Sequence, residues 1–377
     1  MKDAGRRPRI LIGTPVYLPR QGGSSTYFSN LIRRLKGRVD LIVYTCRDRN
    51  APSHEDKDGV IIHRIQPFLL DSPKPLRYLV LPPVTMLQLF RLRMKYGRFV
   101  IHAHSCGAYG YLISIYSRLT GQEMIKEVQD MADPAYSIRM GKVKKYVSTG
   151  TTIADQLRSF GIPEERIITY PSLNPDIPEK VKRKLVPRPY DHEGGMELLC
   201  ISALRPYKGV DHLLRSMKMI QKRDPTIHLT IIGEGGMREE LERYIRDNDL
   251  KNTKLMGFVD DYHDVLRMMA QCDILVLSSA SAEGNPRVIL ESFQFARPVV
   301  ATAAGGTPEL IEDDVNGVLV PPKDPERFAE AVLELAGDPK RRKRLGMEGK
   351  RFLDRLPTWD DLAEDIYSEY VDIWRKM

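Results

Sequence analysis

Short apolar segments alternate with amphipathic segments along almost the whole chain, and this alternation restricts the possible folds most strongly. Apolar runs at 9–13 and 40–45 predict strands, and the pattern between them, at 24–35, predicts a helix. The same order returns beyond residue 195, with a strand at 196–202 and a helix from Val210. Strands that alternate with helices of this length form parallel sheets covered on both faces. The sequence therefore predicts a doubly wound α/β fold.

The length of the chain predicts two domains. The 377 residues are too many for one compact core of ordinary size. Residues 173–194 are rich in Pro, Lys and Arg and have few periodic apolar positions, which is typical of a linker. We therefore expect Rossmann-like domains at 1–172 and 195–356. Ligands in such folds bind at the carboxyl ends of strands, so we expect the two sheets to face each other across a cleft.

Charge is distributed unevenly between the halves of the chain. Residues 1–190 contain 32 basic and 16 acidic residues, whereas residues 191–377 contain 26 and 34. The basic half predicts contact with an anion: a membrane surface, a phosphorylated acceptor or nucleic acid. A generally basic solvated face is the alternative. The stretch from Leu76 to Phe99 mixes apolar and basic residues, as helices on anionic membranes do, although a helix packed on its sheet has a similar pattern.

The cysteines and the apolar runs indicate a compartment. Four cysteines lie far apart without a Cys-x-x-Cys pair or a nearby His cluster, which favours reduced thiols and no structural zinc. The apolar run behind the basic N-terminus is too short for a signal peptide, and no run approaches the roughly 20 apolar residues of a membrane span. We expect a cytoplasmic protein, peripheral on the inner face of the cell membrane if its basic half binds lipid.

The densest candidate site lies at 278–291, where an apolar strand is followed by a helix. We expect Asn285 to cap this helix and Pro286 to occupy its first position, where a missing N–H group costs nothing. The amide groups of Arg287 and Val288 would then lie at the positive helix end. This arrangement predicts a diphosphate-binding site.

Two glutamates accompany this helix. Glu283 lies just before it, and Glu291 lies about 7 Å along the axis from the cap. One carboxylate could accept hydrogen bonds from sugar hydroxyl groups and the other from ribose, with a diphosphate between them. The alternative is that Glu283 caps the helix and Glu291 is solvated.

Long stretches of the chain resemble glycosyltransferase family 4. The strongest resemblance lies in EGNPRVILESFQFARPVVATAAGGTPELIEDDVNGVLVPPKD and extends upstream to SALRPYKGVDHLL and IIGEGGMREELE. Weaker similarity is found in TPVYLPRQGGSSTYFSNLIRRL, VIHAHS and STGTTIADQLRSFGIPEERI. The resemblance implies the GT-B fold of two Rossmann-like domains, with a C-terminal helix at 357–377 that joins the first domain.

The resemblance also implies a reaction. It is the retaining transfer of a hexose from a nucleotide diphosphate-sugar, without a metal ion or another cofactor. Glu283 would contact the donor sugar, Glu291 the ribose, and the amides of Arg287 and Val288 the distal phosphate. Lys208 matches a family lysine that neutralises the leaving diphosphate, a role that suits a fixed cation. The basic first domain would bind the acceptor, either a glycan or a lipid-linked molecule such as a cell-envelope glycan precursor.

Two positions depart from the family pattern. The family usually has an arginine five residues before its lysine, where this chain has Ala203, and the nearby Arg205 is the candidate replacement in donor binding. The family often has a histidine at the end of the fifth strand of the first domain. This chain has Gln129 there, followed by Asp130. We expect Gln129 to lie on the acceptor side and Asp130 to hydrogen-bond the sugar or the acceptor.

Two further features of the first half are candidates for the site. Gly22 and Gly23 match the glycine loop that faces the donor phosphates or the acceptor in the family, and glycine permits close backbone approach. An ordinary turn is the alternative. His104 ends a predicted strand together with His102, and we expect a structural role or a place on the acceptor side.

Two other functions are compatible with the sequence. One is a nucleotide-sugar epimerase of the same architecture, which would convert the donor without an acceptor. The other is a non-enzymatic module that binds RNA or an anionic membrane through the basic half. The first domain lacks an aromatic-rich RNA-binding strand motif, so no nucleic acid partner is expected.

Overall fold

The chain folds into two compact units. The computed structural model describes residues 7–19, 23–46, 51–65, 74–105, 107–129, 134–170, 172–281 and 283–377, without the side chains of residues 74–78. The first unit comprises Met1–Tyr170 together with Pro357–Met377, and the second comprises Pro171–Leu356. Each unit contains one mostly or wholly parallel sheet with helices packed on it, so the predicted α/β fold with two Rossmann-like units is confirmed.

Among the described residues, helices alternate with most of the strands, as the sequence pattern predicts, and the last three helices follow one another without a strand between them. In chain order they are α1 (Gly23–Leu35), α2 (Lys74–Tyr96), α3 (Gly107–Thr120), α4 (Ala135–Arg139), α5 (Thr151–Ser159), α6 (Glu179–Lys182), α7 (Val210–Arg223), α8 (Arg238–Asp247), α9 (Tyr262–Gln271), α10 (Arg287–Gln294), α11 (Pro325–Gly337), α12 (Pro339–Leu353) and α13 (Trp359–Lys376).

The first unit is built on an eight-stranded sheet. Its strands are β1 (Arg9–Thr14), β2 (Asp40–Cys46), β3 (His54–Lys57), β4 (Val60–Ile65), β5 (Val100–His104), β6 (Glu123–Val128), β7 (Lys142–Ser148) and β8 (Ile167–Thr169). They lie in the order β3-β4-β2-β1-β5-β6-β7-β8, and every neighbouring pair except β3 and β4 is parallel. The central strands β1, β2, β5 and β6 are buried along almost their whole length because both of their faces are covered.

One edge of this sheet is a β-hairpin that the strand–helix alternation does not predict. Strand β3 pairs antiparallel with β4 through a turn at Asp58 and Gly59, whose φ angles are 56° and 77°. Left-handed backbone at both central positions is typical of a type I′ turn, for which Asp-Gly is a favoured sequence. The Asp-Gly pair was therefore the signal that could have predicted this hairpin.

The C-terminal helix α13 is part of the first unit. It begins with a capping box in which the Thr358 side chain and the Asp361 side chain each bind the other residue's backbone amide. The helix packs on α1, where the rings of Tyr27 and Trp359 lie 5.6 Å apart. Tertiary contacts within one unit therefore hold this helix, although it follows the second unit in sequence.

The second unit is built on a six-stranded parallel sheet. Its strands are β9 (Met196–Ile201), β10 (Ile227–Ile232), β11 (Thr253–Gly257), β12 (Ile274–Leu277), β13 (Val299–Thr302) and β14 (Val318–Val320). The order is β11-β10-β9-β12-β13-β14, so the strand order reverses beside β9. Ligands in open α/β sheets bind outside the carboxyl ends of the strands at such a switch point. The loops after β9 and β12 are therefore the expected place for a site.

The segment 173–194, for which the composition predicts a linker, belongs to the second unit. The buried Asp273 lies 3.2 Å from the guanidinium of Arg188 and 2.8 Å from the imidazole of His192. The buried Arg297 donates a hydrogen bond to the backbone oxygen of Arg188 at 2.7 Å. Hydrogen bonds and ion pairs of polar side chains hold this segment on the second unit, which explains its few periodic apolar positions. The partners of these side chains lie far away in the sequence.

Candidate active site

An ion pair between Lys208 and Glu283 lies at the switch point of the second unit. Lys208 ends a short 3-10 turn after β9, and Glu283 lies in the loop after β12. The Lys208 Nζ atom is 2.8 Å from both carboxylate oxygens of Glu283. The Glu283 side chain is 6% exposed and that of Lys208 is 18% exposed, so the pair is screened from water but reachable. Glu283 therefore binds a lysine and does not cap the following helix.

Close packing of two loops places Lys208 beside Glu283. Gly209 has a left-handed φ of 62°, and a Cβ atom added there would lie 2.1 Å from the backbone oxygen of Ser278. The amide of Ala280 donates to the backbone oxygen of Tyr207 at 2.9 Å. Glycine is required at position 209 because the loop after β9 touches the backbone that follows β12.

Two further glycines support the loop of Glu283. Gly305 has a φ of 54°, and a Cβ atom there would lie 2.0 Å from the backbone oxygen of Glu283. The amide of Gly306 donates to that same oxygen at 2.9 Å. The hydroxyl group of Ser279 donates to the Glu283 carboxylate. The backbone and the side chain of Glu283 are both held, which is the preorganisation that a binding carboxylate needs.

Helix α10 begins directly behind Glu283. Its N-cap is Pro286, without a side-chain hydrogen bond, so the prediction of Asn285 as the cap was wrong by one residue. The side-chain amide of Asn285 instead donates to the hydroxyl of Ser172 at 3.0 Å. The amide groups of Arg287 and Val288 lie in the first turn, where the positive end of the helix dipole favours an anion.

Glu291 is buried one turn into α10. The hydroxyl of Tyr262 donates to its carboxylate at 2.9 Å, so the alternative of a solvated Glu291 is excluded. Burial raises the pKa of Glu291 above its ordinary value, while Arg287 and the Tyr262 hydrogen bond act in the opposite direction. Burial also raises the pKa of Tyr262, so this hydroxyl stays protonated and donates. Sequence reasoning missed Tyr262, whose only local signal is its place directly after the N-cap Asp261.

Arg205 lies close to this site along the chain. Its side chain is exposed, and its backbone oxygen accepts a hydrogen bond from the amide of Lys208 at 2.9 Å. Among the residues that the structure describes, Lys208 and Ser279 contact the Glu283 carboxylate and Arg205 does not. Ala203 is exposed as well, so the position of the family arginine carries no cation.

The first-unit candidates are described in part. Gly22 and Asp130 lie outside the described residues, and Gly23 is the first residue of α1. His104 ends β5, and Gln129 directly follows the neighbouring strand β6. The His104 Nε2 atom lies 3.3 Å from the side-chain oxygen of Gln129. The structure thus brings the two acceptor-side candidates together at the carboxyl ends of adjacent strands.

A buried polar cluster beneath these two residues was not predicted. Glu127 and His102 are both fully buried, with 3.5 Å between the Glu127 carboxylate and the His102 Nε2 atom. The His102 Nδ1 atom lies 2.5 Å from the hydroxyl of Tyr370 on α13. Burial, and after it the charge of Glu127, raises the pKa of Tyr27 and of Tyr370. The signal that could have indicated the cluster is the charged pair Lys126-Glu127 in the interior of strand β6.

Comparison with known proteins finds similarity to glycosyltransferases. Residues 185–352 match the family described as glycosyl transferases group 1. The chain is 25% identical over 372 residues to an uncharacterized glycosyltransferase of Methanocaldococcus jannaschii. This alignment covers 95% of this chain and 97% of that protein. It is 24% identical over 381 residues to the GDP-mannose-dependent alpha-(1-6)-phosphatidylinositol monomannoside mannosyltransferase of Mycobacterium tuberculosis, covering 95% and 97% of the two chains.

Solved structures show the same architecture. Sucrose-phosphate synthase from Thermosynechococcus elongatus aligns with a TM-score of 0.79 at 18% identity, over 99% of this chain and 100% of that one. Anabaena HepE in complex with UDP-glucose aligns with a TM-score of 0.72 at 16% identity, over 97% and 99%. At these identities the likeness shows the fold alone. A block of the second unit is thus similar to the group 1 glycosyl transferases, and the chain has the GT-B fold.

Proposed function

We propose that the protein is a retaining glycosyltransferase that moves a hexose from a nucleotide diphosphate-sugar to an acceptor bound by the first unit. The observation that carries the proposal is the Lys208–Glu283 pair at the switch point of the second unit. The comparisons support the donor class, since one relative is named as GDP-mannose-dependent and one structural neighbour was solved with UDP-glucose.

The donor would bind along the start of α10. The amides of Arg287 and Val288 would hold the distal phosphate, because the first amides of a helix lack intrahelical partners and attract anions. Glu283 would accept hydrogen bonds from the sugar hydroxyl groups. Glu291 would accept from the ribose, with Tyr262 holding its carboxylate in place.

Asn285, Arg205 and the glycine loop at 22–23 complete the proposed donor contacts. Asn285 lies between Glu283 and the first turn of α10, next to the place proposed for the diphosphate. Arg205 is an exposed cation close to Lys208, which suits a screened contact with phosphate.

The chemistry then rests on charge and position. The bond between the anomeric carbon and the phosphate oxygen breaks, and the acceptor oxygen bonds to that carbon from the same face. A phosphate oxygen takes the acceptor's proton. Lys208 stabilises the charge that develops on the diphosphate, and the helix dipole acts in the same direction. These fixed positive groups would stabilise the leaving diphosphate as a divalent metal ion does in other enzymes. We therefore propose a reaction without a metal ion or another cofactor.

The acceptor side is assigned to the first unit. His104 and Gln129 would line it, and the Asp130 carboxylate would hydrogen-bond the sugar or the acceptor. The name of the mycobacterial relative describes a phosphatidylinositol mannoside as its acceptor, which supports a lipid-linked acceptor or a cell-envelope glycan precursor here. Among the described helices, none is both long and apolar enough to cross a bilayer. We place the enzyme in the cytoplasm, on the inner face of the membrane.

Transfer assays with a defined donor test this proposal. The protein would be incubated with GDP-mannose or UDP-glucose and a lipid extract, and the anomeric configuration of the product read from its one-bond carbon–proton NMR coupling at C1. We expect an α-linked product from an α-linked donor, and no product with the Glu283→Gln variant. A β-linked product would contradict retention. Donor conversion without any acceptor would indicate an epimerase.

A further inference from the structure

One face of helix α2 is apolar and faces solvent. Leu79, Leu87, Phe90 and Met94 are 75%, 51%, 44% and 87% exposed. Successive residues of an α-helix are rotated by about 100°, so these four side chains, with Pro83, lie within an arc of about 80°. At about 1.5 Å per residue, the stripe is about 22 Å long.

The opposite face of the same helix already serves the core. Leu81, Leu89 and Leu92 are buried and belong to the apolar core of the first unit. A surface helix normally presents polar residues on the side away from its sheet. The apolar side chains on the outer face of α2 do not contribute to the core. Large exposed apolar patches of this kind mark interaction sites.

Positive charge borders the stripe. Arg91 and Lys95 are exposed beside it on α2. Arg118 and Leu119 are exposed at the end of α3, which packs on α2 with the rings of Phe90 and Tyr116 5.2 Å apart. Neither helix contains an acidic residue. The surface is therefore apolar at its centre and cationic at its edges.

We propose that this stripe docks the protein on an anionic lipid surface. The apolar side chains would enter the boundary between headgroups and acyl chains, and Arg91 and Lys95 would contact lipid phosphates. Charge favours lipid over a second copy of the chain, since a two-fold contact would place the same cations opposite each other. The inference gives the lipid-linked acceptor of the proposed function a docking surface, and it rests on the proposed function only in that respect.

Vesicle co-sedimentation of the full chain tests the surface. The probes are vesicles of phosphatidylcholine alone and of phosphatidylcholine mixed with phosphatidylglycerol. We expect binding to the mixed vesicles and much weaker binding to the neutral ones. Arg91→Gln with Lys95→Gln should weaken binding by about 30-fold, at about 1 kcal/mol for each basic residue near the surface.

The apolar contribution is tested by Leu79→Gln, Leu87→Gln and Met94→Gln in one variant. All three side chains are largely exposed and glutamine is a good helix former, so the melting temperature should not change. We expect vesicle binding to fall below detection. The matched control carries Val186→Gln, Val315→Gln and Met347→Gln, three exposed apolar positions of the second unit, and should bind as the wild type does.

Three results would overturn the inference. The first is that the wild type does not bind anionic vesicles, and the second is that the triple variant on α2 binds them as the wild type does. The third is that sedimentation velocity shows a dimer of the wild type that the triple variant does not form. Stabilisation by the donor, measured on the same samples, separates the two proposals. Vesicle binding without any response to a nucleotide-sugar contradicts the proposed function and leaves the docking surface standing.

Discussion

Two buried glutamates lie near the carboxyl ends of parallel strands, one in each unit, and they differ in what surrounds them. Glu283 is paired with Lys208, whose side chain is partly exposed, and it lies beside the start of α10. Glu127 is paired with His102, and neither of these side chains has any exposure. His102 in turn contacts Tyr370 on the C-terminal helix.

The difference shows that burial of a carboxylate does not by itself mark a functional site. A ligand can reach Glu283 and Lys208 without opening the core, and the nearby helix dipole adds to the attraction of an anion. The Glu127 carboxylate has no exposed surface and lies beneath Gln129, whose side-chain amide donates to it at 3.4 Å. We therefore expect changes around Glu283 to alter chemistry, and changes around Glu127 to alter stability alone.

The largest effect is expected from Lys208→Met, which removes the cation from the leaving group. The transfer rate should fall by about a thousandfold, as when one preorganised electrostatic group is removed. The variant should also melt at a lower temperature, since Glu283 is left buried without its partner. Adding Glu283→Gln should restore the melting temperature but not transfer. Lys251→Met, at an exposed lysine, is the control, and a loss of transfer below tenfold for Lys208→Met contradicts the assigned role.

A smaller effect on binding is expected from Glu291→Gln. A hydrogen bond to a charged acceptor contributes about 2 kcal/mol to binding. Its loss should weaken donor binding by about 30-fold in calorimetric titration. Tyr262 can still donate to the glutamine oxygen. Donor affinity that equals that of the wild type would remove Glu291 from the site.

The same variant should change stability with a defined dependence on pH. Burial raises the pKa of Glu291, so the folded unit holds this proton more tightly than the unfolded chain does. As the pH rises above the ordinary glutamate pKa, ionisation of Glu291 lowers the stability of the folded unit. The loss grows with pH until the raised pKa of the folded state is passed, and it is constant above that. Glutamine has no such cost, so the melting temperature of Glu291→Gln relative to the wild type should be higher at about pH 8 than at about pH 4. A difference that does not change with pH would contradict the raised pKa.

In the first unit, Tyr370→Phe should act on stability alone. It removes the hydroxyl that contacts the buried His102, which should lower the free energy of unfolding by about 1.5 kcal/mol. Thermal denaturation measures the loss, and Tyr136→Phe, at an exposed tyrosine, is the control. If donor affinity fell together with stability, the two buried glutamates would not have the separate roles argued above.

The smallest effect is expected at Arg205. Its side chain is exposed, and screened charge contacts of this kind contribute at most about 1 kcal/mol. Arg205→Ala should therefore weaken donor binding by about fivefold or less. A hundredfold loss in the same titration would show that Arg205 fully replaces the arginine missing at Ala203.

The sequence predicted what local pattern encodes. Alternation of apolar and amphipathic segments predicted the two parallel-sheet units, and the strand-to-helix context at 278–291 indicated the place of Glu283. The resemblance to the family assigned both Glu283 and Lys208 to the donor site, but their direct pairing, across 75 residues of sequence, was not predicted. Local pattern alone gives no information on which distant loop a carboxylate will meet.

The features that were missed depend on tertiary contacts or on turn chemistry. Segment 173–194 has the composition of a linker, yet Asp273 and Arg297 bind it from elsewhere in the second unit. Glu127 looks like an ordinary charged strand residue until His102 is placed beside it. Asn285 has the residue type of a cap, but Ser172 binds its side chain instead.

Donor-induced stabilisation tests the central claim most directly. Wild type, Glu283→Gln and Tyr370→Phe would be heated with and without GDP-mannose or UDP-glucose, in the absence of added metal. A donor at a hundred times its dissociation constant should stabilise wild type and Tyr370→Phe alike, by about 2.7 kcal/mol, and Glu283→Gln far less. If neither nucleotide-sugar stabilises the wild type at millimolar concentration, or if Glu283→Gln responds as the wild type does, the assignment of the donor site to Glu283 and Lys208 is contradicted.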